Sequence, residues 1–197
     1  MQSKIDLAKM ENIRRVSRSV WKVSVDSNVY FIDGPEKIII DAGPRSYRNI
    51  LSSFLEKIVD LRKIQRVFFT HLHYDHIGNF DLFPNASFHA SREEIARWRK
   101  NPYEAVLDEF MAEKSKEIDL REFPDLDWLE VIHTPGHTSG SVCFWLPSEK
   151  VLFTGDTIFR NGTGRTDLPT SVPEEMQKSV VKLVAYNFSV LCPGHDY

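Results

Sequence analysis

The sequence predicts an α/β fold, a sandwich of two β-sheets with helices on the outside, and three observations carry that reading. The chain opens on a run of short strands that read as hairpins. An amphipathic stretch then leads into an apolar strand, the strand–helix–strand order of a layered fold. The second half repeats the grammar of the first, strands and a helix separated by polar turns, with no long linker and no low-complexity segment in 197 residues. That length suits one domain, spanning residues 1–197, with a substantial core.

Taken in order, the first dozen residues are polar and are expected to be loosely held. Met1 to Asp6 shows no apolar segment of a secretory signal. Val20-Trp21-Lys22-Val23-Ser24-Val25 alternates apolar and polar residues, as a half-buried strand does. Asp26-Ser27-Asn28 is a turn, and Val29–Ile32 and Lys37–Asp41 are the next strands, the last rich in β-branched residues. From Ser46 to Leu61 the apolar residues Ile50, Leu51, Phe54, Leu55, Ile58 and Val59 recur at helical spacing. Arg66–Thr70 is a buried strand and Ala86–His89 a short one. Ser91 and Glu94 have the spacing of a capping box for the helix that follows.

Residues 101–122 are charged, with Val106, Leu107, Phe110 and Met111 as an apolar stripe. They read as a helix-and-loop insertion, either a lid over a site or an ordinary surface helix. Leu129–His133 is a strand, and Ser141–Leu146 with Lys150–Phe153 forms a hairpin around Pro147-Ser148-Glu149. A glycine-containing loop covers Arg160–Pro169. Glu174–Ala185 is a last amphipathic helix and Ser189–Cys192 a last strand.

Composition excludes several classes of function. With 42% hydrophobic and 27% charged residues the chain is an ordinary globular one. A net charge of −3 gives no basic footprint for nucleic acid, and no apolar run reaches the length of a membrane span. Cys143 and Cys192 lie among apolar neighbours and read as core residues rather than a disulfide framework, so a reducing cytoplasm is the expected compartment.

The chemistry concentrates in Thr70-His71-Leu72-His73-Tyr74-Asp75-His76-Ile77-Gly78-Asn79, which places three imidazoles and a carboxylate within six residues of a strand end. In an extended or turning backbone His71 and His73 point the same way and can share one metal ion. Asp75 and His76 are adjacent and diverge, which suits a second ion. Imidazole nitrogen and carboxylate oxygen are the ligands of zinc and of non-haem iron. His137, Asp156 and His195 repeat the pattern of apolar strand, glycine-containing turn and metal-capable residue. His89 and His133 lie within or at the end of strands and carry no expected role.

Sorting these donors gives His71, His73 and His137 for one ion, Asp75, His76 and His195 for the other, and Asp156 as a bridge between them. Two divalent cations bring four positive charges, of which Asp75, Asp156 and a bridging hydroxide offset three, leaving a field that attracts an anionic or carbonyl-bearing substrate. The hydroxide would be the nucleophile and Asp75 would orient it. Seven oxygen and nitrogen donors without a cysteine suit an open catalytic site better than a closed structural one.

The strings THLHYDHIGN, TPGHTSGS, LFTGDTIF and PGHDY resemble the metallo-β-lactamase superfamily over roughly residues 20–197. The resemblance implies a four-layer αββα sandwich, two mixed β-sheets with helices outside and the metals at one edge. Asp156 and Gly164-Arg165-Thr166-Asp167 further resemble the glyoxalase II-like (hydroxyacylglutathione hydrolase-like) group, here without that group's helical C-terminal domain. This implies a small-molecule thioester or ester substrate and two divalent ions, zinc foremost, with iron(II) or manganese(II) fitting the same donors. True β-lactamases usually lack the bridging aspartate, which sets antibiotic hydrolysis aside.

GRTD and the terminal HDY also resemble persulfide dioxygenases, which use one iron; there His73 or its neighbour, His137 and Asp156 would hold it. Lactone hydrolysis is open to the same nucleophile. Arg165 is a candidate contact for a substrate carboxylate, since guanidinium pairs bidentately with carboxylate; a clamp between Arg165 and Asp167 within the loop is the alternative.

Overall fold

A computed structural model describes residues 12–197. The expectation of a loosely held start concerns residues that lie, but for Asn12, outside that range. The larger of two main sheets holds seven strands in chain order: β1 (Ile13–Arg15), β2 (Val20–Ser24), β3 (Asn28–Asp33), β4 (Lys37–Ile40), β5 (Arg66–Phe68), β6 (Ser87–His89) and β7 (Leu120–Arg121). It is antiparallel from β1 to β4 and parallel from β4 to β7. The smaller sheet comprises β8 (Glu130–His133), β9 (Val142–Leu146), β10 (Val151–Gly155) and β13 (Val190–Pro193), ordered β13–β10–β9–β8, with β13 parallel to β10. Between β10 and β13 in sequence, β11 (Ile158–Phe159) and β12 (Gly162–Thr163) form a small hairpin whose second strand falls within the glycine-containing loop read from sequence.

The period of two along the strands builds the layers. In β4, Ile39 packs with the helices α1 (Arg48–Leu55), α3 (Arg92–Lys100), α4 (Pro102–Val106) and α5 (Glu109–Ser115), in a core that includes Leu51, Phe54, Ile95, Val106 and Met111. Ile38 and Ile40 point the other way, into a second core shared with Phe144 and Phe153 of the facing sheet. In β9 and β10 the alternate residues Cys143 and Leu152 turn outward onto Leu183 of α6 (Pro173–Val184). Three cores therefore separate four layers, helix, sheet, sheet, helix: the αββα sandwich. Both cysteines are free and buried.

Three local expectations are corrected. The helix read over residues 46–61 is α1, only eight residues long and preceded by a 3₁₀ turn at Arg45–Tyr47. Ile58 and Val59 still reach the core, from turns rather than from a helix, which is why helical spacing overran the helix. The capping box of α3 is half made. Ser91 Oγ accepts the Glu94 N–H at 3.1 Å, while the Glu94 carboxylate turns into the protein. Residues 101–122 are not one insertion; α4 and α5, capped by Asn101 and Asp108, deliver the chain to edge strand β7. Leu107, at the joint of α4 and α5, takes a left-handed conformation (φ 63°), costly for a side chain of its size.

Candidate metal centre

Each candidate donor stands where a strand of the sandwich ends. His71 and His73 follow β5; Asp75 and His76 lie in α2 (Tyr74–Ile77), a single turn opened by His73. His137 follows β8, Asp156 follows β10, and His195 follows β13. Since β10 and β13 are parallel neighbours, their exits bring Asp156 and His195 together. The approach there is close. A Cβ on Gly194 would sit 2.1 Å from Asp156 Oδ1, so the carboxylate fits only because residue 194 is glycine.

The seven predicted donors gather in one cluster. The ligand atoms of His71, His73 and His137 lie within 4.8 Å of one another, as do those of Asp75, His76 and His195, and those of His71, His76 and Asp156. Asp156 stands between the two outer trios: Oδ1 is 3.4 Å from His76 Nε2, while Oδ2 is 3.5 Å from His137 Nε2 and 3.6 Å from His195 Nε2. Neither His89 nor His133 joins the cluster. His89 is tied to Ser87 Oγ and the Glu122 carbonyl, and His133 faces Glu93.

The outer nitrogens of the histidines are held by the protein. His76 donates Nδ1–H to Asp41 Oδ2 at 2.9 Å, and His137 donates Nδ1–H to the Arg165 carbonyl at 2.8 Å. His71 Nδ1 is 3.0 Å from Thr70 Oγ1, which itself donates to Asp41 Oδ2, so the imidazole is the donor there too. His195 Nδ1 is 3.2 Å from the Asp26 carbonyl. With Nδ1 so engaged in each, Nε2 is the nitrogen turned toward the cluster and able to bind a cation once deprotonated, as in metal-binding histidines. His73 differs, presenting Nδ1 to His137 Nε2 at 3.0 Å.

The residues present fit divalent cations. Nε2 of His71, His73 and His76 and Oδ1 of Asp156 are buried with no hydrogen-bond partner among the described residues. An unsatisfied buried polar atom costs about 1–3 kcal/mol, and cations held at Nε2 of His71 and His76 and at Oδ1 of Asp156 would remove that cost. Burial pulls the His73 imidazole down to about 3 and likewise lowers His71 and His137, so these three stay neutral and able to ligate. Burial works against charge on Asp75 and Asp156 as well. His76 and its neighbouring imidazoles outweigh it and keep both carboxyls ionised below the usual range.

Two features escaped the sequence reading. Asp41 anchors His76 directly and His71 through Thr70, and also accepts the Thr70 N–H at 2.8 Å. It adopts a left-handed conformation (φ 59°), which aspartate tolerates better than most residues. Its signal was present: a carboxylate at a strand exit before Ala42-Gly43, the pattern of Asp156. The second is an apolar rim. The cluster opens into a cavity of about 400 Å³ bordered by Tyr74, Leu107, Phe159, Leu168 and Tyr197. The Tyr197 ring stacks on His195 at 5.0 Å, and Phe159 meets Tyr197 edge-on at 5.2 Å. Arg165 also borders the cavity, but its guanidinium is paired bidentately with Asp167 at 2.8 and 2.9 Å, and both side chains are well exposed.

A four-layer αββα sandwich with a histidine–aspartate cluster at its strand exits is the architecture of one large class of metalloproteins. The chain belongs to the metallo-beta-lactamase superfamily of metallo-hydrolases, whose family model matches residues 24–195. A probable metallo-hydrolase of Methanocaldococcus jannaschii is 34% identical over 183 residues, covering 86% of this chain and 87% of that one. A hydroxyacylglutathione hydrolase of Bartonella henselae is 34% identical over 143 residues, 68% of this chain and 49% of the enzyme, so this chain spans about half of that relative's length. Among solved structures, that of TTHA1623 in a di-iron-bound form superposes with a TM-score of 0.70 at 23% identity, covering 89% and 92% of the two chains, which shows the shared fold. No helix among the described residues is long and apolar enough to cross a membrane.

Proposed function

We propose that this chain hydrolyses a small thioester or ester. In this reading two divalent cations, zinc foremost, are held by His71, His73 and His137 on one side and by Asp75, His76 and His195 on the other, with Asp156 between them. The observation that carries it is the convergence of the ligand atoms of these seven side chains, four of which also carry a buried atom without a hydrogen-bond partner among the described residues. Divalent cations there supply a water of lowered pKa, near 7, and a Lewis acid for the acyl oxygen.

The chain's own residues do the rest. Asp75, whose Oδ2 is 3.2 Å from His195 Nε2, borders the cavity and in this reading orients the attacking hydroxide. Asp41 and the Arg165 carbonyl keep three imidazoles aimed inward. The rim of Tyr74, Leu107, Phe159, Leu168 and Tyr197 takes an apolar portion of the substrate and thins the water around the scissile bond. The likeness to hydroxyacylglutathione hydrolases supports a thioester. Arg165 would meet a substrate carboxylate only by exchanging it for Asp167.

The test is metal analysis of protein made without added metal, paired with hydrolysis assays on a lactoylglutathione-type thioester, a simple ester and a lactone. About two zinc per chain with thioester turnover is the expected result. An iron-only preparation that consumes oxygen with glutathione persulfide and leaves every acyl substrate intact overturns it.

A further inference from the structure

Glu94 lies outside the cluster, yet its carboxylate joins the two turns that supply three of the histidines. It stands in the first turn of α3 and is 2% exposed. Its Oε2 accepts the N–H of Leu72, the residue between His71 and His73, at 2.9 Å. Its Oε1 accepts the hydroxyl of Thr138, the residue after His137, at 2.6 Å. Both of these donors are neutral groups. The turn is drawn tightly onto the helix: Ser91 Oγ donates to the Gly140 carbonyl at 2.6 Å, and a Cβ on Gly140 would come within 2.6 Å of the Glu94 nitrogen.

Orienting a helix start does not require such a residue. Ser91 already caps α3, and a buried carboxylate hydrogen-bonded only by neutral groups, with Arg97 acting on it from a distance, is a costly way to link two loops. Its charge has a use if cations sit one residue away on either side, where it offsets part of their field.

We infer that Glu94 is a positioning residue, which sets the spacing between the His71–His73 turn and the His137 turn and serves as a buried counter-charge for the cations they take up. This rests on the metal-binding reading of the cluster. Glu94 touches neither substrate nor cation. It acts through Leu72 and Thr138.

The experiment compares wild type, Glu94→Gln and Thr138→Val by zinc affinity in chelator competition, by the absorption spectrum after cobalt(II) substitution, and by Tm of the metal-free protein. Glu94→Gln keeps the shape and one acceptor but removes the charge. Thr138→Val cuts one arm of the link and keeps the charge. The expected result is a metal-free Tm within a few degrees of wild type, zinc binding weakened roughly 10–100-fold in Glu94→Gln and less in Thr138→Val, and an altered cobalt spectrum in both. Should Glu94→Gln fail to fold, the Thr138→Val affinity and spectrum decide. Unchanged affinity and spectrum in the folded variants overturn the role of Glu94. Wild-type protein that takes up no zinc or cobalt at all instead overturns the metal-binding reading on which it rests.

Discussion

Asp41 Oδ2 accepts the Nδ1–H of His76 at 2.9 Å, from a backbone held at φ 59°. The same oxygen takes the Thr70 hydroxyl at 2.9 Å, so one carboxylate fixes the tautomer of His76 and, through Thr70, of His71. Carboxylate–histidine pairs of this kind orient a ligand and raise its basicity. Asp41→Asn would place an amide against a ring nitrogen that must donate. Zinc affinity is therefore expected to fall roughly 10–100-fold, measured by chelator competition. An unchanged affinity would separate Asp41 from the metal centre.

Stripping cations is expected to destabilise the fold. A ligand that binds only the native state adds about 4 kcal/mol at a thousandfold excess over Kd, roughly 8–16 °C in Tm for a chain of this size. The gap should also depend on pH. Burial opposes charge on His76 and His195, but Asp41, Asp156 and Asp75 outweigh it at His76, and Asp75 and Asp156 outweigh it at His195, raising both above 6.5. Their contribution to the metal-free fold is thus fully present below about pH 6.5 and is lost as pH rises through the raised values. Cation uptake requires the same groups deprotonated, so it strengthens with pH. Loaded and stripped Tm values should diverge as pH rises above 6.5; convergence on that side would contradict the assignment.

The aromatic rim makes a separate prediction. Tyr197 stacks on His195 and is braced by Phe159. If the rim binds the apolar portion of the substrate, Phe159→Ala loses uniform binding worth about 0.5–1.5 kcal/mol. KM should then rise roughly two- to tenfold with kcat little changed. A fall in kcat alone would place Phe159 in the chemistry rather than in recognition.

Away from the site, Asp81 gathers Arg45, Arg48 and Lys114, tying the start of α1 to α5. Burial tends to raise its carboxyl, and hydrogen bonds from both arginines more than reverse that, leaving it lowered. The stability it lends is present above the unfolded value of 3.8 and disappears as pH falls through the lowered one. Asp81→Asn should lower Tm by a few degrees at pH 7 and make no difference in strong acid. Thermal melts across pH test this.

Hydrophobic periodicity was enough to show the layers. Apolar runs such as those in Lys37–Ile40 and Val151–Gly155 mark strands buried on both faces, as sheets between two layers must be, and only the fold decides which core each residue meets. The donors were legible for a similar reason: seven imidazoles and carboxylates at strand exits announce themselves by type and place. Helix ends were less so, since Ile58 and Val59 bury themselves from turns as readily as from a helix.

What the sequence by itself determined, then, is the layer order and the set of candidate donors, both local properties of pattern and chemistry. Only the tertiary structure decided how the donors are held. Asp41 lies 35 residues from His76 and Glu94 lies 44 from Thr138, and no spacing rule joins them. Those bonds exist because parallel strands and tight turns bring remote polar groups together in a core where each must find a partner.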